Sequence, residues 1–261
     1  MKIYRKNVAH MTLSNETERS YSYDVSMDML NGDALMKPCG YQTLICEIAE
    51  RHLRQFHLNV DDLAPYHLSW VMISSSFEIV RPIVGQPTVI GRTWHSEQER
   101  LTFRRDFSFT DTDGTPLFHA VTFSVLMDTD TRKIVRPDKL PISIGQPYPS
   151  FVMEASHKLH PNGDMQPCDR RRIYPSHIDC LGHTNNCRYS EFAYDALTDD
   201  ELRRLDALRR MNIYYKSELR LGDSFTMRRS APGVTNGELL IDGVNDTTGK
   251  QSFACRMIFE P

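Results

Sequence analysis

Long apolar runs, an excess of charge of one sign and a signal-like start are all missing from this chain of 261 residues. The formal net charge is only −3, so no overall basic field favours nucleic acid as a partner. No stretch approaches the ~20 apolar residues of a membrane-spanning helix, and residues 1–7 lack the apolar core of a signal peptide. These features predict a cytoplasmic protein without a membrane or nucleic-acid partner.

The cysteines show none of the paired spacings that bind metal or form a disulfide framework. There is no CxxC, no HExxH, no P-loop and no dinucleotide-binding glycine fingerprint in the chain. We therefore expect reduced thiols, no metal and no cofactor. The six cysteines are Cys39, Cys46, Cys168, Cys180, Cys187 and Cys255.

The chain contains the same predicted order of helix and strands twice. In the first half a short strand precedes a long amphipathic helix at about 38–57, and four strands follow at 69–80, 88–94, 101–109 and 117–127. In the second half a strand at 170–175, a helix after Asn185 and strands at 211–221, 224–230, 237–243 and 251–260 repeat that order. The pattern predicts an α+β fold in which each antiparallel sheet wraps a helix and the two sheets pair edge to edge. We expect an N-terminal unit at 1–140, a linker at 141–167 and a C-terminal unit at 168–261.

One polar loop stands directly before the second helix. Asp179, Gly182 and His183 are followed at once by Asn185 and Asn186, either of which is a good N-cap. Backbone N–H groups at Gly182 and His183, close to the positive end of the helix, suit the stabilisation of a developing negative charge. The loop predicts an active site, in which Asp179 is the candidate base or carboxylate nucleophile and His183 orients water. A plain cap or tight turn also accounts for Asp179 and Gly182.

The loop, with the strand before it and the helix after it, resembles the motif of hot-dog thioesterases. The repeated order is similar to the acyl-acyl carrier protein thioesterases, plant-type and bacterial, which join two hot-dog units in one chain. The segment His67-Leu-Ser-Trp70 resembles the tryptophan-bearing strand entry of that family. The resemblance covers residues 10–260 and implies hydrolysis of a fatty acyl thioester to a free fatty acid and the carrier protein. In that reaction, His183 is also a candidate donor to the leaving sulfur.

The resemblance also implies particular site residues. The family motif is Asp-x-Asn-x-His with a glutamate on the following strand, so Asp179, His183 and Glu218 match its acid, its histidine and its glutamate. Leu181 stands at the asparagine position, and Leu219 stands where plant-type members carry a cysteine. A cysteine nucleophile is therefore not supported at that position. From the residues alone, Glu218 on a strand face paired to Lys216 or an arginine is the simpler interpretation.

In that family the first unit accommodates the acyl chain. The resemblance thus implies an acyl pocket at Tyr41, Leu44, Ile48, Trp70 and Met72, although core packing is the default for each of them. It also implies an acidic carrier protein as partner, for which seven arginines between 170 and 210 form a candidate surface. An acyl-coenzyme A thioesterase of the same fold and a non-catalytic acyl-binding module stay open as alternatives, and a homodimer is possible.

Overall fold

The protein is described by a computed structural model over residues 19–155, 158, 164–230 and 237–260. The first eighteen residues of the predicted N-terminal unit and part of the predicted linker lie outside these ranges. The helices are α1 Pro38–Gln55, α2 Val60–Leu63, α3 Asn186–Asp195 and α4 Asp199–Arg203. The strands are β1 Arg19–Asp24, β2 Leu68–Ile79, β3 Thr88–Glu99, β4 Thr102–Thr110, β5 Pro116–Asp128, β6 Met165–Arg172, β7 Leu208–Tyr215, β8 Ser224–Ser230, β9 Glu238–Asn245 and β10 Gln251–Phe259.

All ten strands form one antiparallel sheet in the order β1-β3-β4-β5-β2-β7-β10-β9-β8-β6. The two halves of this order mirror each other, and they meet where Ser74–Glu78 of β2 pairs with Arg210–Tyr214 of β7. Each half wraps its sheet around a helix, so the α+β fold of tandem hot-dog units and the edge-to-edge pairing are confirmed. No helix in the described ranges is long and apolar enough to cross a membrane.

Helix α1 divides its apolar stripe between two environments. Tyr41, Leu44 and Ile48 near its start are fully buried in the main core, which both halves share. A second, smaller apolar cluster contacts Leu53 and Phe56 near the end of the helix. The first turns of α1 therefore hold the fold together, and the last turns line a separate space.

Helices α3 and α4 each begin at an N-cap residue whose side chain accepts a hydrogen bond from a backbone N–H of the first turn. The Asn185 side chain accepts a hydrogen bond from Cys187 N, as predicted for an N-cap. The side chains of Thr198 and Glu201 form a capping box at the start of α4. The Asn185 cap fixes the point where the polar loop ends and α3 begins.

Several element boundaries differ from the sequence expectation, and β3, for example, continues to Glu99 rather than ending near 94. Strand β7 ends at Tyr215 rather than near 221, because the N–H groups of Lys216 and Ser217 both donate to Ser252 O and interrupt the ladder. Glu218 therefore lies in an irregular segment after the strand and not on its face. Strand β6 begins at Met165, inside the predicted linker.

The described part of the linker is packed against the first half of the sheet. Trp94 Nε1 donates to Ser150 O at 2.8 Å, and Val152 N donates to the buried Asp106 carboxylate at 3.0 Å. Residues Ile142 and Ile144 pack against the smaller apolar cluster. The linker thus closes one side of the space at the end of α1.

Candidate functional site

The polar loop is folded around the side chain of Asp179. Its Oδ1 accepts hydrogen bonds from Leu181 N at 2.9 Å and His183 N at 3.1 Å. Gly182 N donates to the Asp179 carbonyl at 3.0 Å, and Gly182 adopts a φ of +78°, a conformation that glycine enters without strain. Asp179 does not line a described cavity; it organises its own loop.

The N–H groups that the sequence suggested for the oxyanion are already used. The N–H groups of Gly182 and His183 both donate to Asp179, so neither of these two expected donors is free to bind an oxyanion. Asn185 N donates to His177 O. The N–H of Asn186, the first residue of α3, has no acceptor in the part of the chain that the structure describes. Asn186 also lines an apolar cavity, and its free N–H lies three residues beyond His183, the nearer of the two expected donors.

The histidine and the glutamate of the prediction meet, together with an arginine from the other half. His183 Nε2 lies 2.7 Å from Glu218 Oε1, and Arg132 Nη2 lies 2.7 Å from Glu218 Oε2. Arg132 Nη1 lies 3.0 Å from the same His183 Nε2, and Arg220 Nη2 lies 3.3 Å from Glu218 Oε2. Two arginines therefore neutralise one carboxylate beside one imidazole.

A single ring nitrogen thus faces a donor and an acceptor. His183 Nε2 accepts a hydrogen bond from Arg132 when it carries no proton, and a protonated Nε2 is instead attracted to the Glu218 carboxylate, so one nitrogen cannot serve both partners at once. Glu218 Oε1 is buried and accepts no hydrogen bond among the described residues, because its 2.7 Å contact with this nitrogen is close in distance but not aligned as a hydrogen bond. The arrangement is suited to moving a proton between the imidazole and the carboxylate.

The first half of the chain contains a loop of the same shape between β1 and α1. Asn31 Oδ1 accepts from the N–H groups two and four residues further on, at 3.0 and 2.9 Å. Ala34 N donates to Asn31 O and Asn31 N donates to Leu35 O, as Gly182 N does to Asp179 O and Asp179 N does to His183 O. Ala34 also has a positive φ of 59°. Asn31 therefore corresponds to Asp179, and Leu35 corresponds to His183.

The glutamate also has a counterpart in the first half. In the first half Met36 N donates to Ile83 O at 3.0 Å, and in the second half Thr184 N donates to Leu219 O at 3.3 Å. Each acceptor lies in the segment that follows the central strand of its half, β2 or β7. This alignment places Pro82 at the position of Glu218. Since the fold forms with leucine and proline at these positions, His183 and Glu218 are not required to build the loop.

An apolar cavity of about 930 Å³, including its open mouth, lies between the end of α1 and the sheet of the first half. Trp70, Met72 and Asn186 line it, and Trp70 packs edge-on against Phe103 at 5.2 Å between ring centroids. Tyr41, Leu44 and Ile48 do not line it, because they face the main core from the earlier turns of α1. Of the five residues predicted for an acyl pocket, two contribute to this wall.

The candidate positions for a thiol nucleophile or a metal ligand are Cys180, Cys187 and position 219, which is occupied by Leu219. Cys180 lies exposed on the loop, while a hydrogen bond to Cys46 and burial raise the pKa of the Cys187 thiol well above its ordinary value. Leu219 is fully buried. Within the described ranges, no three His, Cys, Asp or Glu side chains are grouped to hold a metal ion.

The arginine surface suggested by the sequence is largely occupied by acids of the same chain. Arg170 pairs with Asp246, and Arg171 pairs with Asp169 and Asp195. Arg203, Arg209 and Arg210 also contact carboxylates, and Arg204 donates to Glu260 O. These pairs leave less free positive charge there than the sequence indicates.

Sequence analysis did not identify Arg132. It follows a turn in which the Asp128 side chain accepts from Asp130 N and Thr131 N, and it has a positive φ of 59°. The sequence signals that turn, but nothing in it indicates a contact with Glu218, 86 residues further on. The contact exists because β2 and β7 join the two halves edge to edge.

Comparisons with known proteins agree with this architecture. The acyl-ACP thioesterase N-terminal domain matches residues 16–139, and the acyl-ACP thioesterase C-terminal domain matches residues 169–260. A comparison with curated protein sequences found no match.

Three solved structures share the fold over 94% of this chain, each with a TM-score of 0.77. They are an acyl-ACP thioesterase from Bacteroides thetaiotaomicron (19% identical, 99% of that chain covered), a putative oleoyl thioesterase from Lactobacillus plantarum (17%, 97%) and a 12:0-ACP thioesterase from Umbellularia californica (18%, 98%).

Proposed function

The chain belongs to the acyl-ACP thioesterase family, and from this premise we propose that it hydrolyses fatty acyl-ACP at the cluster of Glu218, His183 and Arg132. The single observation that carries the proposal is the convergence of these three side chains beside the start of α3. In the reaction, water forms a bond to the acyl carbon and the carbon–sulfur bond breaks. The products are the fatty acid and the free thiol of the carrier protein.

Glu218 and His183 form the base in this proposal. A water molecule held by Glu218 transfers its proton to the carboxylate, directly or through His183 Nε2, as the oxygen attacks the thioester. The same proton then passes from the Glu218 carboxyl group, through His183 Nε2, to the departing thiolate. The 2.7 Å separation of His183 Nε2 and Glu218 Oε1 places the two groups within reach of such a transfer.

The Asn186 N–H is the proposed donor to the oxyanion. It stands in the first turn of a ten-residue helix, where the free N–H groups and the helix dipole favour negative charge. Asn186 also contributes to the cavity wall, so a thioester bound at the cavity mouth has its carbonyl near this donor. Asn185 acts as the cap that holds the turn in place.

In this proposal, Arg132 provides part of the polar contact that Leu181, at the family's asparagine position, is unable to make. Leu181 is exposed and has no polar side chain with which to orient water or the imidazole. The guanidinium of Arg132 contacts both His183 and Glu218, so it holds the two at a fixed separation. Asp179, whose Oδ1 fastens the loop, is the positioning residue of the set.

Release of free thiol from acyl-ACP by purified protein tests the proposal. Glu218→Gln removes the carboxylate charge, and we expect kcat to fall by roughly 100-fold or more, in the range typical for loss of a general base. Glu238→Gln is the matched control, because Glu238 is also a partly buried glutamate paired to an arginine, Arg256, but lies away from the loop. Equal rates for wild type and Glu218→Gln contradict the assignment.

The same assay separates this activity from its alternatives. An acyl-ACP thioesterase has a higher kcat/KM for acyl-ACP than for acyl-coenzyme A with the same chain. An acyl-binding module binds acyl-ACP saturably and releases no thiol. We also propose a cytoplasmic location, supported by six cysteines that form no disulfide. A homodimer stays a prediction that light scattering of the purified protein tests.

A further inference from the structure

The cavity beside α1 is not uniformly apolar. One row of polar residues crosses three adjacent strands at a single level, because His95 of β3 pairs with Arg105 of β4, and Arg105 pairs with Thr122 of β5. Residues directly opposite each other in antiparallel strands share a face of the sheet. All three line the cavity, and His52 of α1 lies across from them. A purely hydrocarbon chain does not need such a row.

Arg105 is the charged member of the row. Burial lowers the pKa of Arg105 to about 10, so it stays charged at neutral pH. Its hydrogen bonds both use Nη1, which donates to His52 Nδ1 at 3.0 Å and to Thr93 Oγ1 at 3.5 Å. No carboxylate in the described ranges pairs with it. Its remaining N–H groups are donors on the cavity wall without an acceptor in the described chain.

His95 supplies the complementary acceptor. Its Nε2 lies 3.0 Å from the carbonyl of Glu97, so Nε2 carries the proton and donates. Burial, reinforced by the charge of Arg105, lowers the pKa of His95 to about 4, which keeps the ring neutral at pH 7. Nδ1 therefore has a free lone pair, and it is buried without a partner among the described residues.

We propose that this row binds a hydroxyl group on the acyl chain, so that the enzyme prefers hydroxylated acyl chains over plain saturated ones. A hydroxyl group accepts from the free Arg105 N–H and donates to His95 Nδ1, and thus satisfies both cross-strand neighbours. A carboxylate satisfies only the arginine, because it has no proton to offer the bare histidine nitrogen. A methylene group leaves both polar groups desolvated and unpaired, which is costly.

The position of the row places this hydroxyl in the distal part of the chain. Cys187, next to Asn186 at the start of α3, hydrogen-bonds Cys46 of α1. His52 follows Cys46 by six residues, which is about 9 Å along the helix at the usual rise. The hydroxyl therefore lies several carbons from the thioester and not next to it. This assignment rests on the proposed function, since it concerns the acyl chain of that substrate.

The test compares kcat/KM for acyl-ACP carrying one saturated chain and a matched series in which a hydroxyl moves along the distal half of that chain. We expect the best hydroxylated substrate to be preferred by roughly tenfold or more, because buried polar groups reject an analogue that leaves them unpaired. Arg105→Met and His95→Phe should each abolish most of this preference. Arg54→Met, on the exposed face of the same helix as His52, should leave it unchanged.

Calorimetry with the free saturated and hydroxylated acids measures the affinity of the wild-type cavity for each acid in the absence of turnover. Tighter binding of a hydroxylated acid by wild type, lost in His95→Phe, supports the inference even if Arg105→Met fails to fold. A saturated chain that binds and reacts as well as every hydroxylated one overturns it. So does a preference that survives both substitutions. If no acyl-ACP is hydrolysed but the binding preference is present, only the proposed function fails.

Discussion

Arg132 Nη2 donates to Glu218 Oε2 at 2.7 Å, and through this bond the first half of the chain contributes to the loop site of the second. The same guanidinium reaches His183 with its other terminal nitrogen. One side chain thus fixes the separation of the two groups that we propose exchange the proton.

The first prediction concerns this arginine. Arg132→Gln should lower kcat roughly 10-fold or more with little change in KM, because the hydrolytic pair loses its alignment but the cavity is untouched. Arg132→Lys should restore only part of the rate, since one ammonium group does not reproduce the two-nitrogen fork. Steady-state kinetics on acyl-ACP measure both.

The free energy of unfolding provides the check on this prediction. Arg132 and Glu218 are both partly exposed, so their ion pair contributes at most about 1 kcal/mol. A larger loss of stability in Arg132→Gln, parallel to the loss of activity, indicates a structural role instead.

The second prediction uses the equivalence of Asn31 and Asp179. Because Asn31 makes the same loop bonds, Asp179→Asn should keep the loop folded, and it should retain at least roughly tenfold more kcat than Glu218→Gln, which removes the general base. Asp179→Ala, which also loses the Oδ1 acceptor, should be worse than Asp179→Asn. If Asp179→Asn is as inactive as Glu218→Gln, the carboxylate of Asp179 takes part in the chemistry.

The third prediction is a pH dependence of stability caused by His95. Unfolded histidine binds a proton below about pH 6.5, whereas His95 in the folded protein binds one only below about 4. Folding stability therefore falls as the pH drops from 6.5 to 4, by up to about 3 kcal/mol. His95→Gln should make this decline shallower. Urea unfolding of both proteins across that range measures the difference, and parallel curves contradict the assigned cause.

The fourth prediction concerns the contact between α1 and the sheet. A Cβ at Gly91 of β3 would lie 2.8 Å from Phe109 Cε1 and 3.0 Å from Ile48 Cγ1. Gly91→Ala should therefore destabilise the protein by about 1–3 kcal/mol through overpacking. Gly32→Ala is the matched control, since nothing lies within 4 Å of its Cβ position. Equal unfolding midpoints for the two variants count against a close helix–sheet contact at Gly91.

The fifth prediction is that neither Cys187 nor Cys180 acts as a nucleophile. The pKa of Cys187 is well above its ordinary value, so this thiol stays protonated at neutral pH. Cys187→Ala and Cys180→Ser should each keep kcat within about threefold of wild type, because the proposed attack uses water rather than sulfur. A loss comparable to that of Glu218→Gln in either variant would overturn this mechanism.

The elements that the sequence predicted well are those with strong local patterns. Helix α1 was predicted to within two residues, because an apolar stripe signals it directly, and strand β8 was predicted with the bounds that the structure shows. The predicted end of β7 was wrong, because the strand is ended by hydrogen bonds from Lys216 N and Ser217 N to Ser252 O, which are tertiary contacts. The prediction of Glu218 as a site residue did not depend on that boundary.

By itself, the sequence determined the doubled order of helix and strands, the capped loop before α3 and the presence of an acid, a histidine and a glutamate in the second half. Tertiary structure alone decided which of these groups meet, because antiparallel pairing of β2 with β7 brings Arg132 to Glu218 across the chain. It also decided that the first turns of α1 face the core while the last turns line the cavity. Local patterns encode the periodicity of an element, whereas the neighbours of a side chain depend on strands that are distant in sequence.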